Sequence, residues 1–222
     1  MSRYSTTERN RIRRLPKRAS YDQETINRIL DEALICHIGI VENGQPFVIP
    51  TNFARLNDTI LLHGSKASRM IKHVGAGHPV CVTVTILDGV VLARSIFHHS
   101  MNYRSAVLFG KGRLVEGDDE KLAALEAISE HIMPGRWREA RLPNRREMKA
   151  TGVVSIRIES ASAKVRTGPP GDEQEDYGLP VWAGVLPLEQ TALPPLRDEL
   201  LRENVPIPSY VSSYSRKRAH AR

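Results

Sequence analysis

Two cysteines in 222 residues and the want of any long apolar run exclude several classes of protein at once. No stretch approaches the roughly 20 apolar residues a membrane-spanning helix requires, and the N-terminus has no apolar segment of the kind that forms a secretory signal. The chain is therefore expected to stay in the cytoplasm, with no membrane partner. Cys36 and Cys81 each sit inside an apolar run without the close Cys/His spacing of a zinc site, so both are expected as buried, reduced thiols. A phosphate-loop G-x-x-x-x-G-K-[ST] is missing, and no repeat of useful period occurs. No Ser/His/Asp or Cys/His arrangement can be assembled from spacing, and no carboxylate pair stands out.

An apolar content of 41% is enough for one sizeable core, and one domain is the simplest organisation for this length. The net charge of +7 lies at the ends. Residues 1–18 hold seven basic side chains against Glu8 alone, and residues 212–222 add Arg216, Lys217, Arg218 and Arg222, which leaves a slightly acidic body. That distribution argues against a basic face for nucleic acid on the folded domain, although tails of this kind can meet polyanions nonspecifically. Residues 1–19 are expected to be a solvated basic tail, 20–190 the folded domain, and 191–222 a C-terminal extension with its own basic tail.

Between the tails, short β-branched runs alternate with turn residues. Tyr21–Leu34 has helical spacing, with Ser20 and Asp22 as possible caps. Ile35–Val41 runs through Asn43-Gly44, a dipeptide that tolerates positive φ, into Gln45–Phe53, and Leu56-Asn57-Asp58 turns into Thr59–His63. After a helical Ser68–Val74, Val80–Leu87 is expected to turn at Asp88-Gly89 into Val90–Ile96. Phe97–Arg104 is expected to be irregular and Ala106–Glu116 a strand. Leu122, Leu125, Ile128 and Ile132 mark a helix stripe, and Gly152–Ala161 a last strand. Six or seven strands with few helices indicate a mainly β, antiparallel barrel. The apolar island Pro180–Leu188 must dock somewhere.

Three stretches could carry chemistry. Pro50 interrupts the strand Val48–Phe53, placing it at an edge, at a bulge or beside a ligand. His63-Gly64-Ser65-Lys66-Ala67-Ser68-Arg69 lies where a strand gives way to a helix, with hydroxyls and cations suited to a phosphate, or with Ser65 or Ser68 serving as a simple cap. Phe97–Ser105 is dense in polar groups, as a pocket rim would be. His98 and His99 are adjacent, and on extended chain they diverge, which makes a poor metal chelate.

Taken in order, Ile-Pro-Thr-Asn-Phe, Leu-Leu-His-Gly-Ser-Lys-Ala-Ser, Ser-Met-Asn-Tyr-Arg-Ser and Leu-Pro-Val-Trp-Ala-Gly-Val-Leu-Pro resemble the FMN-binding relatives of pyridoxamine 5′-phosphate oxidase. The resemblance runs from about Thr7 to Leu188. Leu61-Leu62-His63-Gly64 is more similar to the Nim-type, nitroimidazole-reductase branch than to the true oxidase, whose pyridoxal-phosphate residues and Arg-x-His ending are not matched. The resemblance implies a six-stranded split β-barrel with flanking helices, assembled as a homodimer with FMN at the subunit interface. It places Pro50, Thr51 and Asn52 along the flavin, and His63 and Gly64 near its ring, with His63 as the catalytic group. It further gives Ser65, Lys66, Ser68 and Arg69 to the phosphate. Asn102, Tyr103, Arg104 and Ser105 would complete the pocket, and Trp182 would cover the ring from the partner. The implied activity is reduction of a small acceptor, nitroaromatic in the Nim-type branch, by a flavin-dependent oxidoreductase. The alternatives are a non-catalytic flavin or haem binder, with His63, His98 and His99 as haem-facing groups, and an oxidase of pyridoxamine phosphate.

Overall fold

A computed structural model describes residues 2–215. Arg216, Lys217, Arg218 and Arg222, assigned to the C-terminal basic tail, lie outside the described residues. In chain order the elements are β1 (Ala19–Ser20), α1 (Gln23–Glu32), β2 (Ile35–Glu42), β3 (Gln45–Asn52), β4 (Ala54–Leu56), β5 (Thr59–Ser65), α2 (Arg69–Gly75), β6 (Pro79–Leu92), β7 (Ser100–Leu114), α3 (Asp118–Ile132), α4 (Arg145–Ala150), β8 (Thr151–Arg166), β9 (Gly184–Pro187) and α5 (Ser209–Ser212). All strand pairs are antiparallel, in the order β3-β2-β6-β7-β8-β5-β4. Only Phe53 separates β3 from β4, so the sheet returns to the strand from which it started. Counting β3 and β4 as one bent strand gives six barrel strands, with β1 added on β8 and β9 on β6. This is the expected split barrel.

The barrel closes over one core because its inward positions alternate with outward ones. Cys36, Ile38 and Ile40 of β2 meet Val80, Val82 and Val84 of β6, Ala106 and Leu108 of β7, and Val154 and Ile156 of β8, with α1 supplying Ile26, Ile29 and Leu30. Asp22 caps α1, its carboxylate accepting from the Thr25 N–H at 2.8 Å and the Thr25 hydroxyl at 2.9 Å. A smaller cluster lies outside the wall, where Ala124 and Ile128 of α3 cover Ala54, Leu61 and Val153. Asn43 and Gly44, at φ 52° and 77°, make the β2–β3 turn as their residue types require. β3 is an edge strand, which accounts for Pro46 and Pro50 within it. The apolar island docks through β9, pairing Gly184–Pro187 with Leu92–Gly89 of β6.

Four expectations are corrected. Asp88-Gly89 does not turn the chain: β6 runs on to Leu92, and the register shift between Leu87 and Gly89 makes Asp88 a bulge residue. Gly89 is needed there for a different reason, since a Cβ would stand 2.9 Å from the Leu186 carbonyl of β9. Consequently Ser100–Arg104 is strand, and the reversal is made by residues 93–99, including a short 3-10 turn at Ile96–His98. The N-terminal segment is packed rather than solvated: Tyr4 is part of the core, and buried Asn10 donates to the Ala161 carbonyl at 3.0 Å. Cys36 is buried, and burial pushes its thiol up to about 12, whereas Cys81 is only half-buried. No helix among the described residues is long and apolar enough to cross a membrane.

Candidate functional site

Cross-strand partners share a face of a sheet, so the registers place the predicted residues. Pro50 stands opposite His37, His37 opposite Thr83, Thr83 opposite Val107 and Val107 opposite Ser162. This row crosses the outer face of the barrel, away from the core formed by Cys36, Ile38, Val82, Val84 and Ala106. β3 and β7 are three strand spacings apart along it, or about 14 Å. Next to the row at the same end stand Asn52 on β3 and Tyr103 and Ser105 on β7. Asn52 and His63 flank the Ala54–Leu61 pair of β4 and β5 by two residues each, which brings the first two predicted stretches together. The result is a band with Asn52 and His63 at one end, Pro50, His37, Thr83 and Val107 in the middle, and Tyr103 and Ser105 at the other end.

Thr51 points inward opposite Cys36, because alternate residues of a strand face opposite sides, and its hydroxyl donates to the Asn52 carbonyl at 3.3 Å. His63 is half-buried opposite Val153, and its Nδ1 is buried without a hydrogen-bond partner. Burial holds its pKa below the ordinary imidazole value, so the ring is neutral at pH 7. A buried ring nitrogen with nothing to bond costs free energy in the free protein, and a ligand group beside it would relieve that cost. Gly64 follows, with Ile71 and Ser68 in ordinary contact distance of where its Cβ would be.

In the phosphate stretch the helix-cap alternative holds for Ser68, and Arg69 is turned away. Ser65 Oγ accepts from the Ala67 N–H at 3.2 Å and Ser68 Oγ caps α2 by accepting from the Ile71 N–H at 3.3 Å, so both hydroxyls serve the local fold. The Arg69 guanidinium lies 3.7 Å above the Phe47 ring and pairs with Glu42 at 2.8 Å, turned toward the β2–β3 hairpin. Lys66 is exposed and has no ion pair among the described residues. The cation that sequence spacing missed is Lys121. It is 4% exposed, its Nζ donates to the Met148 carbonyl, and burial followed by the nearby Lys66 charge lowers its pKa. The signal for it was available, since Lys121, Ala124 and Ile128 are the buried stripe of α3, displaced from the one inferred from leucines.

The third stretch divides by strand parity. Arg104 faces the barrel end, where it binds both oxygens of Asp88 at 2.9 and 2.8 Å and both oxygens of Glu32, one at 2.8 Å. Asn102 is buried, donating to the Gly168 carbonyl at 3.1 Å and accepting from Arg166. Tyr103 and Ser105 look outward, as does exposed Met101, and Ser105 donates to the Lys164 carbonyl at 3.2 Å. Trp182 is 67% exposed and packs over Gly184, on the strand that lengthens β6. His98 is 3.4 Å from Glu173, and no group of three or more His, Cys, Asp or Glu suited to a metal occurs among the described residues.

The band is open. A cavity of about 330 Å³ lies beside it near Phe47, Cys81 and Phe109, and another of about 400 Å³ lies between the end of α1 and α5; neither is lined by a predicted site residue. Exposed Ile35, Val48 and Leu87 border the band on the same wall.

A family model for pyridoxamine 5′-phosphate oxidase matches residues 22–165. The solved structure of the flavocytochrome Anf3 from Azotobacter vinelandii is 40% identical, with 92% of this chain and 95% of that one covered and a TM-score of 0.87. The FAD and haem binding protein from Mycobacterium smegmatis is 36% identical over 87% of this chain and 95% of its own, with a TM-score of 0.83. A candidate 5-nitroimidazole antibiotic resistance protein from Bacteroides thetaiotaomicron is 26% identical over 66% and 86%, with a TM-score of 0.55. No curated protein matches the chain.

Proposed function

Because the chain belongs to the pyridoxamine 5′-phosphate oxidase family, we propose that it is a redox protein holding a flavin, FMN or FAD, together with a haem. The observation that carries this reading is the band itself, which ends at a buried, unpartnered His63 Nδ1 and offers a planar ring the outward side chains of Pro50, His37, Thr83 and Val107. Its support among relatives is the pair of structures most fully covered, one described as a flavocytochrome and the other as binding FAD and haem. A flavin supplies reversible transfer of one or two electrons. The chain's own part is to hold and orient it: Pro50 and Asn52 along the ring, Gly64 allowing close approach of the backbone, Lys66 toward the phosphate, and Tyr103 and Ser105 at the far end. His63, neutral at pH 7, would give a hydrogen bond to a small acceptor.

An open band has one wall. A second copy of the chain would supply the other, covering Ile35, Val48 and Leu87 and bringing Trp182 over the ring, so the working form is proposed as a homodimer. Reduction of a nitroaromatic acceptor is the second reading, favoured by the likeness to the nitroimidazole resistance protein.

Absorbance of the purified protein tests the assignment. Flavin bands together with a Soret band support it; flavin bands alone leave the nitroreductase reading, and neither chromophore on a folded protein refutes both. His63→Gln should keep the fold and the cofactor yet reduce an acceptor about 10²-fold more slowly. An unchanged rate would remove His63 from the chemistry.

A further inference from the structure

The far end of the band holds a charge with no counter-charge. Arg166 is 9% exposed. Its hydrogen bonds go to neutral oxygens only: the Asn102 amide, the Gly168 carbonyl at 3.2 Å and the Pro169 carbonyl at 3.1 Å. Its Nε is buried with no partner. Three other sheltered arginines each have a carboxylate partner. Arg55, Arg94 and Arg104, with side chains 18%, 24% and 14% exposed, hold Asp31, Asp172 and the Glu32/Asp88 pair.

The neighbours of Arg166 add to the imbalance. Lys164, two residues back along β8, shares its outward face, opposite Ser105 and Ala19. Arg18 directly precedes β1 and acts on Arg166 as a like charge. Tyr103 stands directly opposite Arg166. No carboxylate lies within ion-pair distance of Arg18, Lys164 or Arg166 among the described residues. A guanidinium does not shed its proton in a protein, and a sheltered charge without a partner destabilises the fold as a buried ion pair does when one member is removed. The Nε–H edge of a guanidinium is suited to receive two oxygens of one carboxylate or phosphate.

We propose that Arg166, Lys164 and Arg18 form an anion-binding subsite at the Tyr103 end of the band, taking the carboxylate or phosphate arm of the ring cofactor. The inference rests on the cofactor reading above, and it divides the band into a ring-holding middle and a cationic end: a carboxylate arm here leaves the flavin phosphate to Lys66, whereas a phosphate arm here takes that role from Lys66, which lies beyond His63 at the other end.

The test compares ligands that differ only in the anionic arm. Cofactor-stripped protein is titrated with haemin and haem dimethyl ester, and with FMN and riboflavin. Arg166→Met should weaken either haemin or FMN at least about tenfold, by loss of a charged hydrogen-bond pair, while the matching ester or riboflavin changes less than about twofold. The pair that responds names the source of the anion. Equal losses within both pairs, or no loss in either, overturn the subsite. If Arg166→Met does not fold, Arg18→Met with Lys164→Met replaces it, with Arg166→Lys as the charge-retaining control, and the same outcomes apply. If the parent binds neither ring, the cofactor reading falls, and inorganic pyrophosphate decides the subsite alone: binding lost in the variant sustains it, and binding unchanged or missing in the parent removes it.

Discussion

Arg104 was placed in the cofactor pocket by sequence and at the barrel end by structure, and one substitution separates the two. Its side chain is 14% exposed, with Glu32 at 11% and Asp88 at 20%, so all three charges are sheltered from screening. Hydrogen bonds to both carboxylates, Glu32 first and then Asp88, raise its pKa further. Arg104→Met leaves two carboxylates facing each other without their shared cation. Breaking a buried pair in this way costs about 3–5 kcal/mol, and partial exposure favours the lower end. In a chain of this size about 3 kcal/mol lowers Tm by roughly 6–12 °C. Arg104→Lys keeps the charge but loses the fork and should fall between the two. The triple variant Glu32→Gln, Asp88→Asn, Arg104→Met removes all three charges and should recover to within about 2 kcal/mol of the parent, because desolvation then no longer opposes folding. Thermal and urea unfolding, with cofactor titration alongside, measure this. A change in Tm under about 2 °C with a tenfold or larger loss of cofactor affinity would show that Arg104 faces a ligand and that the ion-pair argument fails.

Lys66→Ala should weaken a phosphorylated flavin by about 1.5–3 kcal/mol, a charged hydrogen bond's worth, while Arg69→Ala, which cuts the Glu42 pair and the Phe47 contact, should leave that affinity nearly unchanged; calorimetry with the opposite ranking returns Arg69 to the phosphate. Gly110→Ala should destabilise by about 3 kcal/mol or more, since its Cβ would lie 2.0 Å from the Arg157 carbonyl, whereas Gly117→Ala meets nothing within 4 Å and should stay within about 0.5 kcal/mol; equal Tm changes would contradict the β7–β8 register, which shifts between Phe109 and Gly110. Asp22→Ala should cost about 1 kcal/mol at pH 7 through loss of the α1 cap. The Thr25 hydrogen bonds lower the Asp22 pKa, so this contribution is present above the ordinary aspartate value and is lost as pH falls through the lower, folded one; a gap between parent and variant that widens toward pH 2 would reverse the sign.

What the sequence made legible was local. Asn43-Gly44, the Asp22 cap and the proline-bearing β3 each follow from a property of one or two residues, and the structure has all three. Asp88-Gly89 misled because the same residues suit a turn or a bulge, and only the pairing of β6 with β7 and β9 chooses between them. The site divides along the same line. Segments were legible, but which side of a strand each residue faces was not, so Arg104 and Tyr103 were grouped although they point to opposite sides. Arg69 was read as a phosphate ligand because its stacking on Phe47 is a contact across 22 positions of sequence. Lys121 and Arg166 escaped notice for a related reason, since a lysine in a helix stripe or an arginine at a strand end is ordinary until its burial is known.

The prolines of β3 also bear on how copies of the chain can meet. A strand with one free side is a template on which another polypeptide can lay down its own strand, the usual first step of runaway aggregation. Pro46 and Pro50 deny that template two backbone donors within eight residues. At the other extreme of the long β6–β7 hairpin, β9 occupies the side of β6 that would otherwise be open. Growth by adding sheet to sheet is thereby obstructed at both places, so the proposed dimer would have to form through broad faces, a kind of contact that closes on itself instead of propagating.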